Sequence, residues 1–471
     1  MAYGPHRSDR GLRLPELRTD RFRRLAPGTA VLVALTLSLP IEADVAKGQT
    51  GASSPPNILV ILTDDQRRDE TMQMMPMTRR IFGRGGTRFP NAFATTPLCC
   101  PSRASLFTGM YAHNHGVLRN GEADQLDETA TIQRYLADTG YRNALFGKYL
   151  IGFPPERNPS HFHDWATTKG RAYSDGNWNV QGQMSQVDMY STDFIAAKSL
   201  GFLESTENED ARPWFLLITP HAPHEPAPHP SRHDGVELPD WVPNPAMLER
   251  NRRDKPRYVR KRQVTLQSQK VVRRRQLRAL PAVDELTDAV FDKLAELDED
   301  DTTLAFFLSD NGMVWGEHGI RRKRHAYTQS VSVPLYARWP GVISAGLTDP
   351  RIVGVLDVPV TIMDAVEIEP SGPPMDGRSM LIDKSRNRIL LEFFGEQGVP
   401  AWTSLRTRRN QYVEYYRDNG TIGFREYYDL RADPWQLVNL LHDGDPDNNP
   451  DTTRTRARLR SDQRCTGAAC P

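Results

Sequence analysis

The sequence predicts an α/β fold built around a parallel sheet, and three stretches carry that prediction. "NILVILT" from Asn57, "PWFLLIT" from Pro213 and "DTTLAFFLS" from Asp301 are unbroken apolar runs of strand length. A strand with one wet face alternates apolar and polar residues; an unbroken run is buried on both faces, as in the centre of a parallel sheet. Each run ends in polar residues, "DDQ", "PHAPHEP" and "DNG". Open α/β sheets place their sites beyond such carboxyl ends.

The intervening segments read as helices. In "ETATIQRYLADTGYRNALFGKYL" residues Ile132, Tyr135 and Leu136 share a face and Gly140 is the stop. "VRRRQLRALPAVDELTDAVFDKLAELDEDD" places Leu277, Leu280, Val283, Leu286, Val290 and Leu294 at helical spacing, and Pro281 is expected to kink or restart it. Toward the C-terminus, "RNRILLEFF", "AWTSLRTRRNQYVEYYRDNGTIGFREYYDL" and "RADPWQLVNLL" give strands rich in β-formers around a turn at Asp418, Asn419 and Gly420. These imply a smaller antiparallel subdomain with a helix. The expected organisation is a signal peptide and basic leader over 1–46, a linker over 47–55, the large domain over 56–383 and the subdomain over 384–471.

At the N-terminus, "RFRRLAPG" precedes the apolar "TAVLVALTLSLP" and the small-residue stretch "IEADVAKGQTGASSPP". That order is the order of a secretory signal, so the mature chain is expected to be secreted or periplasmic. The apolar run is short for a bilayer span and no cysteine follows it closely, so no stable membrane anchor is expected. Arg23 and Arg24 leave a twin-arginine route open. A formal net charge of +1 gives no global attraction to nucleic acid. The basic segment from Arg250 to Arg278 reads first as a solvated helix face and second as a contact for a polyanion, with a sulfated polysaccharide preferred over nucleic acid for an exported chain. Cys465 and Cys470 in "RCTGAAC" either close a small disulfide loop or stay free.

Asp64 and Asp65 end the first run, and Asp310 and Asn311 end the third. One acid pair alone would equally cap a helix. Repetition on a second parallel strand argues for a shared ligand. Three acids and an amide are all oxygen donors, which suit a hard cation, calcium (Ca2+) first and magnesium (Mg2+) second.

"TTPLCCPSRASLFTG" sets Cys99, Pro101 and Arg103 two apart and follows them with Leu106, Thr108 and Gly109. This closely resembles the sulfatase signature, in which the cysteine two before the proline is enzymatically converted to Cα-formylglycine. Counting back from Pro101 and Arg103 selects Cys99; Cys100 fills the variable position and stays a thiol by the same resemblance. "NILVILTDDQ", "FLSDNGMVWGEHG", "RWPGVI" and "YYDLRADPWQLVNL" resemble further blocks of that family, so the likeness covers nearly the whole mature chain. It implies an alkaline-phosphatase-like α/β fold, a large mixed sheet flanked by helices with a smaller C-terminal antiparallel α+β subdomain.

Carried over residue by residue, the resemblance makes Asp64, Asp65, Asp310 and Asn311 metal ligands beside the formylglycine from Cys99. Arg103 falls where the family's arginine holds that group, Lys148 in "FGKYL" on a lysine that contacts sulfate, and Lys323 in "RRKRHAY" on a second lysine. His221 in "TPHAPHEP" matches the histidine of a "P-H-x-P" element, with His224 close enough to compete. Two positions depart from the family: Leu150 stands where many arylsulfatases have histidine, and Thr328 follows Tyr327 where glutamate is common. The first departure, with "MYAHNHGV" and the doubled cysteine, makes the chain most similar to glucosamine-6-sulfatases and extracellular heparan endosulfatases.

The implied chemistry is hydrolysis of a sulfate monoester on a sulfated carbohydrate or an aryl group. One hydroxyl of the formylglycine hydrate attacks sulfur, His221 or Lys323 protonates the leaving oxygen, and the second hydroxyl expels sulfate. A formylglycine-generating enzyme is the implied biosynthetic partner. Two rival expectations stand beside this one: a phosphonate monoester or phosphodiester hydrolase on the same fold, and a non-catalytic sulfated-glycan-binding relative. His113, His115 and His318 are secondary candidates for substrate contact.

Overall fold

Strand β1 (Asn57–Thr63) lies between β3 (Trp214–Thr219) and β4 (Thr303–Ser309), and β2 (Arg142–Gly147) pairs with the far edge of β3, all four parallel. The computed structural model describes residues 55–168, 172–207, 212–261 and 263–471. The expected signal peptide and the linker through residue 54 lie outside the described residues. Among those described, these four strands form the centre of a ten-stranded mixed sheet, extended beyond β4 by an antiparallel strand and beyond β2 by a parallel strand at 164–168 and two antiparallel ones at 176–180 and 183–187.

The unbroken apolar runs serve two cores at once. Ile58, Val60 and Leu62 pack on one face with Phe215, Leu217 and Phe306, while Leu59 and Ile61 pack on the other with Leu216, Ile218 and Phe307. Each such side chain contributes about 1.5–3 kcal/mol relative to exposure, so slipping any central strand by one residue would exchange matched packing on both faces. The register is thereby set, and with it the height at which every strand ends. Helix α2 (Leu266–Glu296) covers one face with Leu277, Leu280, Val283, Leu286, Val290 and Leu294.

Three expectations need correction. Helix α2 does not restart at Pro281 but runs through it; the buried leucines and valines on both sides of the proline hold the helix on the sheet and outweigh the one lost backbone bond. The segment "RNALFG", read with the preceding helix, is strand β2. A short helix, Ile132–Asp138, ends before Gly140, whose φ of 95° turns the chain back to pair with β3. Non-local pairing decided that segment. "RADPWQLVNLL" is a turn region beyond the last strand, closed where the Asp433 carboxylate accepts from the Val438 amide at 2.8 Å.

The C-terminal part holds a separate antiparallel sheet of β5 (Ile389–Phe393), β6 (Trp402–Arg406), β7 (Asn410–Tyr416) and β8 (Ile422–Asp429), in that order. The β7–β8 hairpin turns at Asp418, Asn419 and Gly420, with Gly420 at φ 76°. One apolar patch joins Ile389, Leu391, Trp402, Val413 and Tyr415 to Leu98, Ala326 and Val331. Helix 453–462 and a Cys465–Cys470 disulfide follow. No described helix is long and apolar enough to cross a membrane.

His113 ties this tail to the large domain: its Nδ1 lies 2.9 Å from Glu392 Oε2 and its Nε2 3.1 Å from the Cys465 carbonyl. Burial pulls the imidazole pKa down, but the Glu392 hydrogen bond and charge win and leave it above the ordinary value. A raised folded-state pKa stabilises fully below the unfolded value of about 6.5 and is lost as pH climbs through the folded value. We therefore expect His113→Gln to cost about 1 kcal/mol at pH 6 and less by pH 9. Thermal unfolding across that range reads it, and a pH-independent cost would refute the ionised pair.

Candidate active site

The carboxyl ends of all four central strands deliver polar residues to one place. Asp64 and Asp65 follow β1, Lys148 follows β2, His221 and His224 follow β3, and Asp310 and Asn311 follow β4. Asp65 sits at φ 64°, a left-handed conformation that aspartate tolerates better than most residues. Gly147 is required before Lys148: its φ is 121°, and a Cβ there would lie 2.1 Å from the Thr219 carbonyl oxygen.

Cys99 enters from the other side as the first residue of helix α1 (Cys99–Thr108). Pro101 is tolerated in the first turn, where the amide it lacks has no intrahelical partner, and Gly109 at φ 69° terminates the helix. The helix is buried along its length, so its positive end points at the site from a dry position.

Cys99 Sγ lies 3.3 Å from Asp64 Oδ1, 3.9 Å from Asp65 Oδ1 and 2.6 Å from Lys323 Nζ. Three ion pairs surround it: Lys148 with Asp64, Lys323 with Asp65, and Arg103 with Asp310, the last at 2.9 Å. Arg103 also donates to the Lys148 carbonyl at 2.6 Å, coupling helix α1 to the end of β2. The structure thus brings together Asp64, Asp65, Cys99, Arg103, Lys148, Asp310, Asn311 and Lys323.

Burial pushes the Asp64 carboxyl up, but Lys148, then His224, Arg103 and Lys323, hold it well below the usual carboxylate range. Asp65 is likewise lowered against burial, chiefly by Lys323 and His224. Asp310 goes the other way, raised by burial and by facing Asp64. Burial, reinforced by Asp310 and Asp64, drives the Cys99 thiol far up, and burial pushes Cys100 up to about 12. Both are protonated at neutral pH, so neither is a ready nucleophile.

The carboxylates Asp64 and Asp65, Cys99 Sγ and a nitrogen of His224 offer atoms within 4.8 Å of one another, a cluster that could hold a metal ion. Asn311 strengthens the fit. Its Nδ2 donates to Asp65 at 2.7 Å, while its buried Oδ1 has no hydrogen-bond partner and is a spare oxygen donor beside the acids.

The two histidines after β3 go to different places. His221 is fully buried, its ring 6.1 Å from Tyr173 and 6.4 Å from Trp178. His224 lines the site cavity, with Nε2 3.6 Å from Asp65 Oδ2. The spacing P-H-x-P occurs twice, as Pro220-His221-Ala222-Pro223 and Pro223-His224-Glu225-Pro226. Sequence had no means of choosing between overlapping copies. The cavity measures about 590 Å³, and Asp65, Lys148, His224, Lys323 and, at the departing position, Leu150 line it. Asn120, which the sequence did not single out, also lines it and accepts from the Cys100 amide at 3.0 Å.

His113, His115 and His318 lie elsewhere. His113 holds the C-terminal tail, His115 is buried 3.1 Å from Ser105 Oγ, and His318 pairs with Glu249 at 2.8 Å. The loop carrying Lys323 is pinned by the C-terminal sheet: Trp402 Nε1 donates to the Arg324 carbonyl at 2.9 Å, Gln411 to that of Ala326 at 2.6 Å, and Tyr327 to Glu426 at 2.9 Å. Thr328, at the second departing position, donates its amide to Gln436 at 2.8 Å.

Comparison with known proteins sets this geometry in context. The family model "Sulfatase" matches residues 56–368, and the model "N-sulphoglucosamine sulphohydrolase, C-terminal" matches 316–463. The chain is 34% identical over 362 residues to an extracellular sulfatase SULF-1 homolog of Drosophila melanogaster, covering 71% of this chain but only 32% of that protein. It is thus similar to about a third of that relative's length. It is 28% identical over 489 residues to the N-acetylglucosamine-6-sulfatase of Homo sapiens, covering 90% of this chain and 87% of the relative. Its fold matches a solved structure of a protein complexed with its substrate, D-glucosamine-2-N,6-O-disulfate, at TM-score 0.73 and 22% identity over 87% of this chain and 96% of the other.

The thiols provide a direct check of this geometry. In unconverted protein we expect Cys99 and Cys100 to resist iodoacetamide at pH 8 in the native state and to react once unfolded, because both are wholly buried and protonated. Rapid native labelling of either, read by mass spectrometry, would contradict the arrangement.

Proposed function

The chain belongs to the sulfatase family, and from that premise we propose that it is an exported hydrolase that releases inorganic sulfate from a sulfate monoester of carbohydrate or aryl type. The observation that carries this reading is the placement of residue 99 among three buried carboxylates and three cations, of which Asp65, Lys148 and Lys323 line a cavity. A sulfate monoester needs a nucleophile, countercharge for the sulfate oxygens and a proton for a poor leaving group.

Conversion of Cys99 to formylglycine would replace an inert, protonated thiol with an aldehyde hydrate carrying two hydroxyls, one to attack sulfur and one to eject the product. Asp64, Asp65, Asp310 and Asn311 would hold a hard divalent cation, because every one of these donors is oxygen, with calcium the first choice and magnesium the second. When bound, such a cation lowers the pKa of a neighbouring hydroxyl and neutralises sulfate charge.

The chain's own residues supply the rest. Lys148 and Lys323 place ammonium groups where sulfate oxygens would lie. Arg103 fixes the first turn of α1 against Asp310 and the Lys148 carbonyl. His224, facing the cavity, is the general acid for the leaving oxygen, in preference to His221 in its aromatic packing. The N-terminal pattern of basic, apolar and small residues supports export.

Two experiments test this. Protein made with a formylglycine-generating enzyme should yield a peptide in which residue 99, but not Cys100, has lost its thiol and which reacts with hydrazide, and should release sulfate from glucosamine 6-sulfate or 4-nitrophenyl sulfate. Faster turnover of a matched phosphonate or phosphodiester would favour the phosphoryl hydrolase, and an intact thiol with glycan binding alone would favour a non-catalytic relative. For the acid, His224→Ala should lower turnover of alkyl sulfates by about 10²–10⁴-fold and of 4-nitrophenyl sulfate far less. His221→Ala should instead show as a lower melting temperature, and the reverse pattern would reassign the acid.

A further inference from the structure

The site cavity does not stand alone. A second cavity of about 480 Å³ adjoins it, and Arg322, Lys323, Arg324 and Gln397 line both. Gln263 and Val264 close the second cavity on one side. Shortly before them in sequence, helix 257–261 exposes Arg257, Arg260 and Lys261, the part of the basic segment that the proposed chemistry leaves without a role.

The charge of the second cavity differs from that of the first. The site cavity has Asp65, Glu156 and Glu225 in its wall, whereas no carboxylate lines the second among the described residues. Arg321, Arg322, Lys323 and Arg324 give it four consecutive cations. Arg322 pairs with Glu225 and Arg324 with Glu396, but Arg321 is exposed and forms no ion pair among the described residues. The loop holds this display in an unfavourable backbone: Arg322 has φ 70° and Arg324 φ 84°. Non-glycine residues stay in that region only where their surroundings over-determine it, as the Glu225 and Glu396 pairs and the Trp402 bond to the Arg324 carbonyl do here.

We propose that the second cavity is an anion subsite for the sulfate or carboxylate of a sugar residue adjoining the one whose ester is cleaved, so that the substrate is a polyanionic oligosaccharide rather than an isolated sulfated sugar. The inference rests on the sulfatase reading of the first cavity. The second cavity lies within the roughly 300–1,000 Å³ range of small-ligand sites, and guanidinium groups match planar and tetrahedral oxyanions through paired N–H donors. The exposed cations of helix 257–261 lie close in sequence to its wall and add attraction that salt screens.

The test uses the full chain with unconverted Cys99, so that binding is read apart from turnover. Titration calorimetry with a heparin-derived tetrasaccharide and with glucosamine 6-sulfate compares wild type, Arg321→Glu and Gln263→Glu. Both substitutions should weaken the tetrasaccharide about three- to tenfold and leave the monosaccharide unchanged. In converted enzyme they should raise KM for the tetrasaccharide and leave 4-nitrophenyl sulfate turnover as it was. Unaltered tetrasaccharide affinity in both variants, or equal losses for both ligands, would overturn the subsite. Selective tetrasaccharide loss in a converted enzyme that releases no sulfate would uphold the subsite while removing the hydrolase reading.

Discussion

Six ionisable groups share the dry space around residue 99, and the rest of the structure is arranged so that they can do so. Asp64, Asp65 and Asp310 face Lys148, Lys323 and Arg103 in three pairs. Taking either partner alone out of water costs several kcal/mol, and removing one member of a buried pair typically costs about 3–5 kcal/mol. Each pair joins segments far apart in sequence: β1 to the end of β2, β1 to the loop after β4, and helix α1 to the end of β4. The charges therefore bind the site together only when the central strands are in register and helix α1 is seated. They keep Asp64 and Asp65 ionised against the opposing effect of burial, while Asp310, facing Asp64, shifts the other way.

The C-terminal sheet takes its meaning from this constraint. A lysine on a loop is a poor charge partner unless the loop is immobilised. Trp402, Gln411, Glu426 and Gln436 supply hydrogen-bond partners to residues 324–328, and the apolar side of the sheet covers Leu98 just ahead of Cys99 as well as Ala326 and Val331. The subdomain thus acts on the site through backbone positions, holding Lys323 from one side and the first turn of α1 from the other. Asn120 and Arg324 connect to the same region through Glu396. Arg321 and Arg322 are the exposed side of the loop whose buried Lys323 faces the site.

Burial also decides the protonation state of an unmodified cysteine at residue 99. A thiol packed against Asp64 and remote from solvent stays protonated, so the same enclosure that protects a sulfuryl-transfer site would silence an unmodified cysteine. The proposed conversion would put oxygen in place of sulfur among the oxygen donors of Asp64, Asp65, Asp310 and Asn311.

Much of this was legible in the sequence. Unbroken apolar runs identify strands buried on both faces, because such burial is a property of the strand's own residues, and the acids at the ends of β1 and β4 are visible as polar stops. The spacing of Cys99, Pro101 and Arg103 depends on a single helical turn and so survives as a motif. What the sequence left undecided depends on residues that are distant in the chain. Strand β2 exists because β3 pairs with it, and Pro281 passes within a helix because the sheet holds both sides of it. The choice between His221 and His224 turns on which ring meets Tyr173 and Trp178 and which meets Asp65. The wall shared by the two cavities comes from loops whose relation only packing sets. Short-range preferences are written in neighbouring residues, whereas the meeting of charges across the sheet is a consequence of register and layering, and only the tertiary structure decides it.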